Sequence, residues 1–358
     1  MNAEALWDRL SAEGLVEGGM PEPERSASPW FVRVMLGVAG WIAALFLIAF
    51  VGTGFAFIIE DAAFAAVAGA ACCAGAFALF RVAGGNDFGE QFGLAISLVG
   101  QVLIAIGLAD FLEMDDPAFW LVLAAVEAGL ALAVPNFLHR LLAAGGAAVA
   151  LALAVNQLSL HGLAAPLLCA ALAWVWLEPK RWAGTGRIWR PIGYGLALAL
   201  LLVETFRLFG AEQWFAGRAE APGWFALHGP LLGRGLTAAI LVWVAATLTL
   251  REQGQGAGRI SAYTVGAAII FGLLSLKAPG LASASLILLL GFAAGSRILV
   301  ALGILSLLGF VAHFYYSLQA SLLEKSGILA LTGLLLLAAH FAIRFKFPTG
   351  AAADPDHA

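Results

Sequence analysis

Glu127 stands ten residues into the apolar run PAFWLVLAAVEAGLALAV. A carboxylic acid there has one natural chemistry. It can alternate between neutral and charged forms, and so carry a proton or hold a cation. The competing account is a neutral carboxyl hydrogen-bonded to a neighbouring helix. Other polar side chains interrupt similar runs: Gln101 in FGLAISLVGQVLIAIGLADFL, Asn156 and Gln157 in LALAVNQ, and His313 just before FYYSL. With Glu127 as the coupling group, these four make a candidate polar lining. Glu204 and Arg207, three residues apart, share a helix face near its outer end and can pair with each other. Tyr315, Tyr316, Glu324 and Lys325, within FYYSLQASLLEKSG, complete the candidate residues of the outer face.

Several chemistries have no residues to perform them. The six histidines, His139, His161, His228, His313, His340 and His357, show neither HExxH nor HxxxH spacing. No GxSxG occurs, and the GTG at 184–186 is not followed by GK[ST], so it is not a phosphate loop. Cys72, Cys73 and Cys169 lie inside apolar runs, where a thiol acts as a small hydrophobe. The acidic loop ADFLEMDDP has enough carboxylates for a hard cation, but an acidic outer loop and a helix cap explain the same residues without metal, and that account is preferred. The expectation is a protein that is not an enzyme and carries neither metal nor cofactor.

The elements that must position these residues follow from composition. Hydrophobic residues make up 62% of the 358 positions and charged residues 12%. A soluble domain has roughly 45 to 50% and about 25%. Half the usual charge cannot clothe a soluble core, so lipid is the solvent. Crossing about 30 Å of hydrocarbon takes about 20 apolar residues. On that scale the spans fall near 33–59, 62–80, 92–112, 117–134, 141–158, 162–178, 191–209, 231–250, 260–277, 280–296, 298–318 and 326–345. The fold class is all-α, a polytopic transmembrane helix bundle of about twelve spans.

Placing the N-terminus in the cytoplasm puts fourteen of the nineteen Lys and Arg residues on that side. A miscount by one helix would scramble this bias, so both termini face the cytoplasm. Residues 1–30 form a cytoplasmic tail with a short amphipathic helix over Ala3 to Glu13, 31–346 the membrane domain, and 347–358 a disordered cytoplasmic tail. Asp61, Asp116 before Pro117, and Ser326 are placed to cap helices. Trp214, Phe215, Trp224 and Phe225 suit an interfacial outer loop.

Gly93, Ser97, Gly100 and Gly107 put small residues on one face of the third span, which admits a neighbouring backbone and directs Gln101 toward it. The fourth span is marginal. Its central carboxylate opposes insertion by roughly 2.5 to 3.5 kcal/mol, while its eight larger apolar residues return about 0.3 to 0.6 kcal/mol each. Glu127 therefore faces the bundle interior, protonated or hydrogen-bonded. No pair of broken helices at matching places in two halves is legible.

SPWFVRVMLGVAGWIAALFL near the start, FYYSLQASLLEKSGILALTGLLLLAA near the end, and the order Gly100-Gln101, Asp116, Pro135, Arg140 between them carry a resemblance. From Pro29 onward the chain resembles the bacterial membrane-protein family designated domain of unknown function 4401. The resemblance implies a multi-pass protein of the bacterial inner membrane. It also suggests a smaller membrane-anchored partner of the GDYXXLXY type, besides the lipid bilayer itself, and brings no catalytic residues. Two functions follow as expectations: a transporter-like bundle moving a small solute or lipid component, or a scaffold that grips the smaller partner through small-residue faces and the aromatic loop.

Overall fold

The computed structural model describes residues 3–14, 30–54, 61–82, 87–178, 184–210, 223–253, 258–276, 278–317 and 337. Among these residues the chain forms twelve helices and no strand. They are α1 (Ala3–Ala12), α2 (Trp30–Gly54), α3 (Ala62–Val82), α4 (Asp87–Phe111), α5 (Pro117–Ala133) and α6 (Phe137–Gln157). Next come α7 (Ala164–Leu177), α8 (Gly186–Leu208), α9 (Trp224–Gln253), α10 (Gly258–Ser275), α11 (Leu281–Ala293) and α12 (Arg297–Ser317). Helix α1 covers the segment expected to form a short N-terminal helix, and helices α2 to α12 cover the stretches expected to be the first eleven spans. The expected twelfth, 326–345, lies outside the described residues, as do Glu324, Lys325, Ser326 and the C-terminal tail. Among the described residues six helices, α3, α4, α6, α8, α9 and α12, are long and apolar enough to cross a membrane.

The chain divides into two compact units, Met1–Glu113 with Ala133–His139, and Met114–Leu132 with Arg140–Ala358. In the first unit, α3 and α4 pack through the small-residue face. A Cβ on Gly100 would lie 2.7 Å from both Cys73 Sγ and the Gly69 carbonyl oxygen, and one on Gly107 would lie 2.6 Å from the Ala62 carbonyl. Only glycine lets these backbones meet. On the other side of α4, Gly40 of α2 sits against the Phe88–Phe92 backbone, and the Trp41 indole donates to Gln91 Oε1 at 3.2 Å.

The second unit is centred on α7 and α11. Nine of the fourteen residues of α7 and seven of the thirteen of α11 are buried, against three of twenty-one in α12. A short helix that is apolar all round belongs inside a bundle. Leu168, Leu172, Leu286, Ile287 and Leu290 of this pair join Leu200, Leu241, Val244 and Leu299 in the core. The outer faces carry large apolar groups in the open, such as Leu305, 66% exposed, and Phe292, also 66% exposed. So much exposed hydrocarbon suits lipid rather than water.

Helix ends are closed by side chains. Asp61 Oδ1 accepts from the Ala63 and Phe64 amides, and Asp116 Oδ1 from the Ala118 amide, as their spacing predicts. Arg140 donates to the Ala131 and Leu132 carbonyls at the end of α5, and to the Arg187 carbonyl at the start of α8. Arg251 donates to the Leu177 carbonyl at the end of α7. These arginines thus satisfy exposed helix carbonyls.

The packing of α3 on α4 yields a controlled prediction. Gly100→Val drives a side chain into a backbone and destabilises the protein by about 1–3 kcal/mol or more. Gly75→Val, on the open face of α3 where nothing lies within 4 Å, does not. Thermal melts of the two variants in nanodiscs check this, and equal melting temperatures would refute the role of the glycine contact.

Candidate functional site

In the first unit, Gln101 bonds across to a neighbouring segment as expected. Its Nε2 lies 3.2 Å from His139 Nε2, and Ser97 Oγ lies 2.7 Å from the same nitrogen. An amide N–H only donates, so with this amide orientation His139 Nε2 is the acceptor. Phe80 meets the ring edge-on at 5.9 Å. Asn136 Oδ1 caps the start of α6 by accepting from the His139 amide at 3.0 Å, while Asn136 Nδ2 donates to Glu90 Oε2 at 3.3 Å. A serine beside a histidine is the beginning of a nucleophile and base. Both are fully buried at 0% exposure, so no substrate reaches them, and the cluster instead fastens the start of α6 to α4. Motif spacing missed His139. The available signal was Asn136 three residues before it, an N-cap pattern.

In the second unit, Glu127 projects from α5 and is buried, with 6% exposure. Its carboxyl lies over Gly146 of α6, where a Cβ would meet Oε2 at 3.5 Å. The glycine makes room for the acid. The adjacent Gly145 turns toward Gly195 of α8, so this glycine pair serves two neighbours. Among the described residues Oε2 of Glu127 has no hydrogen-bond partner.

The third cluster lies at one end of the second unit. Glu204, in the last turns of α8, is 2% exposed, far more buried than a polar residue of the outer face was expected to be. Its Oε2 pairs with Arg207 at 3.4 Å as the spacing predicts, and its Oε1 accepts from Ser283 Oγ of α11 at 2.6 Å. Cys169 of α7 approaches the same hydroxyl at 3.8 Å. Glu204, Arg207, Arg234, Thr237, Ser275, Gly280 and Ser283 line a narrow cleft. Arg207 also lines a second cleft, whose walls are mainly apolar and include Asn156, Val149, Leu153, Val203 and Phe206. Sequence reasoning missed Arg234 and Ser283, which lie far along the chain from Glu204.

The candidate residues do not converge on one cleft. Gln101 belongs to the first unit, while Glu127, Asn156, Gln157 and His313 belong to the second. Asn156 lines the apolar cleft, and Gln157 ends α6, part-buried. His313 lines a groove of ≈ 790 Å³ between α8 and α12, edge-on to Phe209 at 5.6 Å. Tyr315 and Tyr316 contact each other edge to face, with Tyr316 exposed. Glu324 and Lys325 lie outside the described residues.

The model of the family described as Domain of unknown function (DUF4401) matches residues 29–344. No curated protein and no solved structure matches the chain. Since the match spans nearly the whole sequence, the chain belongs to the family Domain of unknown function (DUF4401).

Proposed function

We propose that this protein is a transporter-like bundle of the bacterial inner membrane that moves a small solute or lipid component, with Glu127 as its coupling carboxylate. The bundle has about twelve spans with both termini in the cytoplasm, and works as a carrier rather than an enzyme. One observation carries the reading: Glu127 is buried against the Gly146 notch with an oxygen that has no partner among the described residues. A buried polar atom left unpaired costs about 1–3 kcal/mol. A purely structural acid at this position would be expected to hold a hydrogen bond. An acid that must take up and release a proton gains from having no fixed partner to break.

Two further features support transport. The short helices α7 and α11 span only about 20 Å at 1.5 Å per residue, against about 30 Å of hydrocarbon. Both begin at the end of the unit that holds the two clefts, and short helices of this kind flank binding sites in transporter folds. The small-residue face offered for a scaffold is already filled. Gly93, Ser97, Gly100 and Gly107 face Phe80, His139, Cys73 and Ala66 of the same chain. A partner of the GDYXXLXY type would have to grip another surface.

The topology predicts that a reporter fluorescent only in the cytoplasm shines when fused after Ala358 and stays dark when inserted within 211–222. The reverse pattern would sink the topology. Coupling predicts that a pH jump applied to proteoliposomes on a solid-supported membrane drives a transient charge movement, and that Glu127→Gln abolishes it. A variant current equal to that of the unaltered protein would remove Glu127 from the mechanism.

A further inference from the structure

Where α8 begins, Arg187 and Arg190 stand beside Trp174 of α7, and from that surface we infer a binding site for one anionic glycerophospholipid. Its phosphate lies between the two guanidinium groups, and one acyl chain runs down the exposed stripe of α7. The inference is independent of the coupling role of Glu127, because such a lipid binds without being transported.

Uncompensated charge is the first observation. Arg187 and Arg190 are three residues apart, so they share a face of α8, and both are exposed. Among the described residues neither forms an ion pair. Arg140 brings a third positive charge against the same turn. Its Nη1 donates to the Arg187 carbonyl at 3.1 Å, and its other contacts are the carbonyls of Ala131 and Leu132. Glu178, at the end of α7, pairs with none of the three. The first turn of α8 holds no acidic residue, so the positive end of the helix dipole adds to this charge instead of offsetting it. Like charges on one helix face repel, and a phosphodiester between them removes the repulsion. Guanidinium groups are planar, weakly hydrated and matched to phosphate oxygens.

The aromatic neighbours indicate what kind of phosphate. Trp189, between the two arginines in sequence, meets Trp174 of α7 edge to face, with ring centroids 5.3 Å apart. Trp174 is 50% exposed. Tryptophan, with an apolar body and a polar N–H, belongs to the headgroup level of a membrane. An exposed one next to unpaired arginines is placed where a lipid head joins its chains.

The stripe receives the chain. Nine of the fourteen residues of α7 are buried, and its exposed positions are Leu167, Ala170 and Trp174. They recur at steps of three and four, so they form a single line up the helix, about 10 Å long at 1.5 Å per residue. That line ends at Trp174, beside the arginines. A width of one residue, with α8 and α9 packed on the same helix, suits one acyl chain. A soluble anion or an acidic protein held by the arginines would leave this hydrocarbon uncovered.

The full-length protein, stripped of lipid in detergent, is titrated in native mass spectrometry with dioleoyl phosphatidylglycerol, tetraoleoyl cardiolipin, dioleoyl phosphatidylcholine and glycerol phosphate as separate probes. The expected result is one tightly held molecule of phosphatidylglycerol or cardiolipin, and the better of the two tells whether one phosphate or two are gripped. Arg190→Gln weakens that binding about ten-fold, the loss of one charge-assisted hydrogen bond. Arg297→Gln, which removes an exposed arginine at the start of α12, leaves it unchanged. Equal weakening by both variants would mean diffuse attraction to a basic surface and would overturn the inference, as would an unchanged affinity in Arg190→Gln. Phosphatidylcholine bound as tightly as the anionic lipids would refute the charge selection, and glycerol phosphate bound as tightly would refute the stripe. The probe comparison on the unaltered protein stands even where a variant fails to fold.

Discussion

Hydrocarbon offers no hydrogen bonds, so every polar group drawn into this bundle must find its partner inside the chain. Most of the architecture follows from that constraint. Arg140 and Arg251 spend their guanidinium groups on the last carbonyls of α5 and α7, which would otherwise be left open at a helix end. Ser97, Gln101 and His139 close on one another, and Glu204 is held from two helices by Arg207 and Ser283. Against this background Glu127 stands out as a buried acid with an oxygen unpaired among the described residues.

The second constraint is packing without a hydrophobic drive between helices. Lipid tails are as apolar as leucine, so helices adhere where backbones can come close enough for dispersion to favour protein over lipid. The glycines of α3 and α4 do this in the first unit. In the second, Gly229 and Gly233, one turn apart on α9, lie directly under the carbonyls of His161 and Gly162, the latter in a left-handed conformation with φ +86°. Close approach on some faces leaves gaps on others. Because α7 and α11 are short and central, the longer α8 and α9 extend beyond them, and the clefts open at that end.

What was legible in the sequence is what one helix knows about itself. Apolar length located α2 to α12, Asp61 and Asp116 announced their caps, and the spacing of Gly100 beside Gln101 foretold a close neighbour and a bond across to it. What stayed hidden depends on which helix lies beside which. Glu204 sits near the end of its own helix, so a position on the outer face was a fair expectation. Its burial comes from Ser283, seventy-nine residues away, together with the Pro279-Gly280 turn that lines the same cleft. Arg234 is unremarkable within α9 until α8, α10 and α11 end around it. The polar residues grouped as one lining belong to separate places for the same reason: no local pattern encodes the order of helices in a bundle.

The central claim concerns Glu127, and infrared difference spectroscopy of the protein in nanodiscs addresses that acid directly. Spectra recorded across about pH 5 to 9 against Glu127→Gln are predicted to contain a carboxyl band that changes reversibly with pH and is missing from the variant. A carboxyl band of Glu127 that stays constant across that range would mean a sealed structural contact, and would contradict proton coupling through this residue.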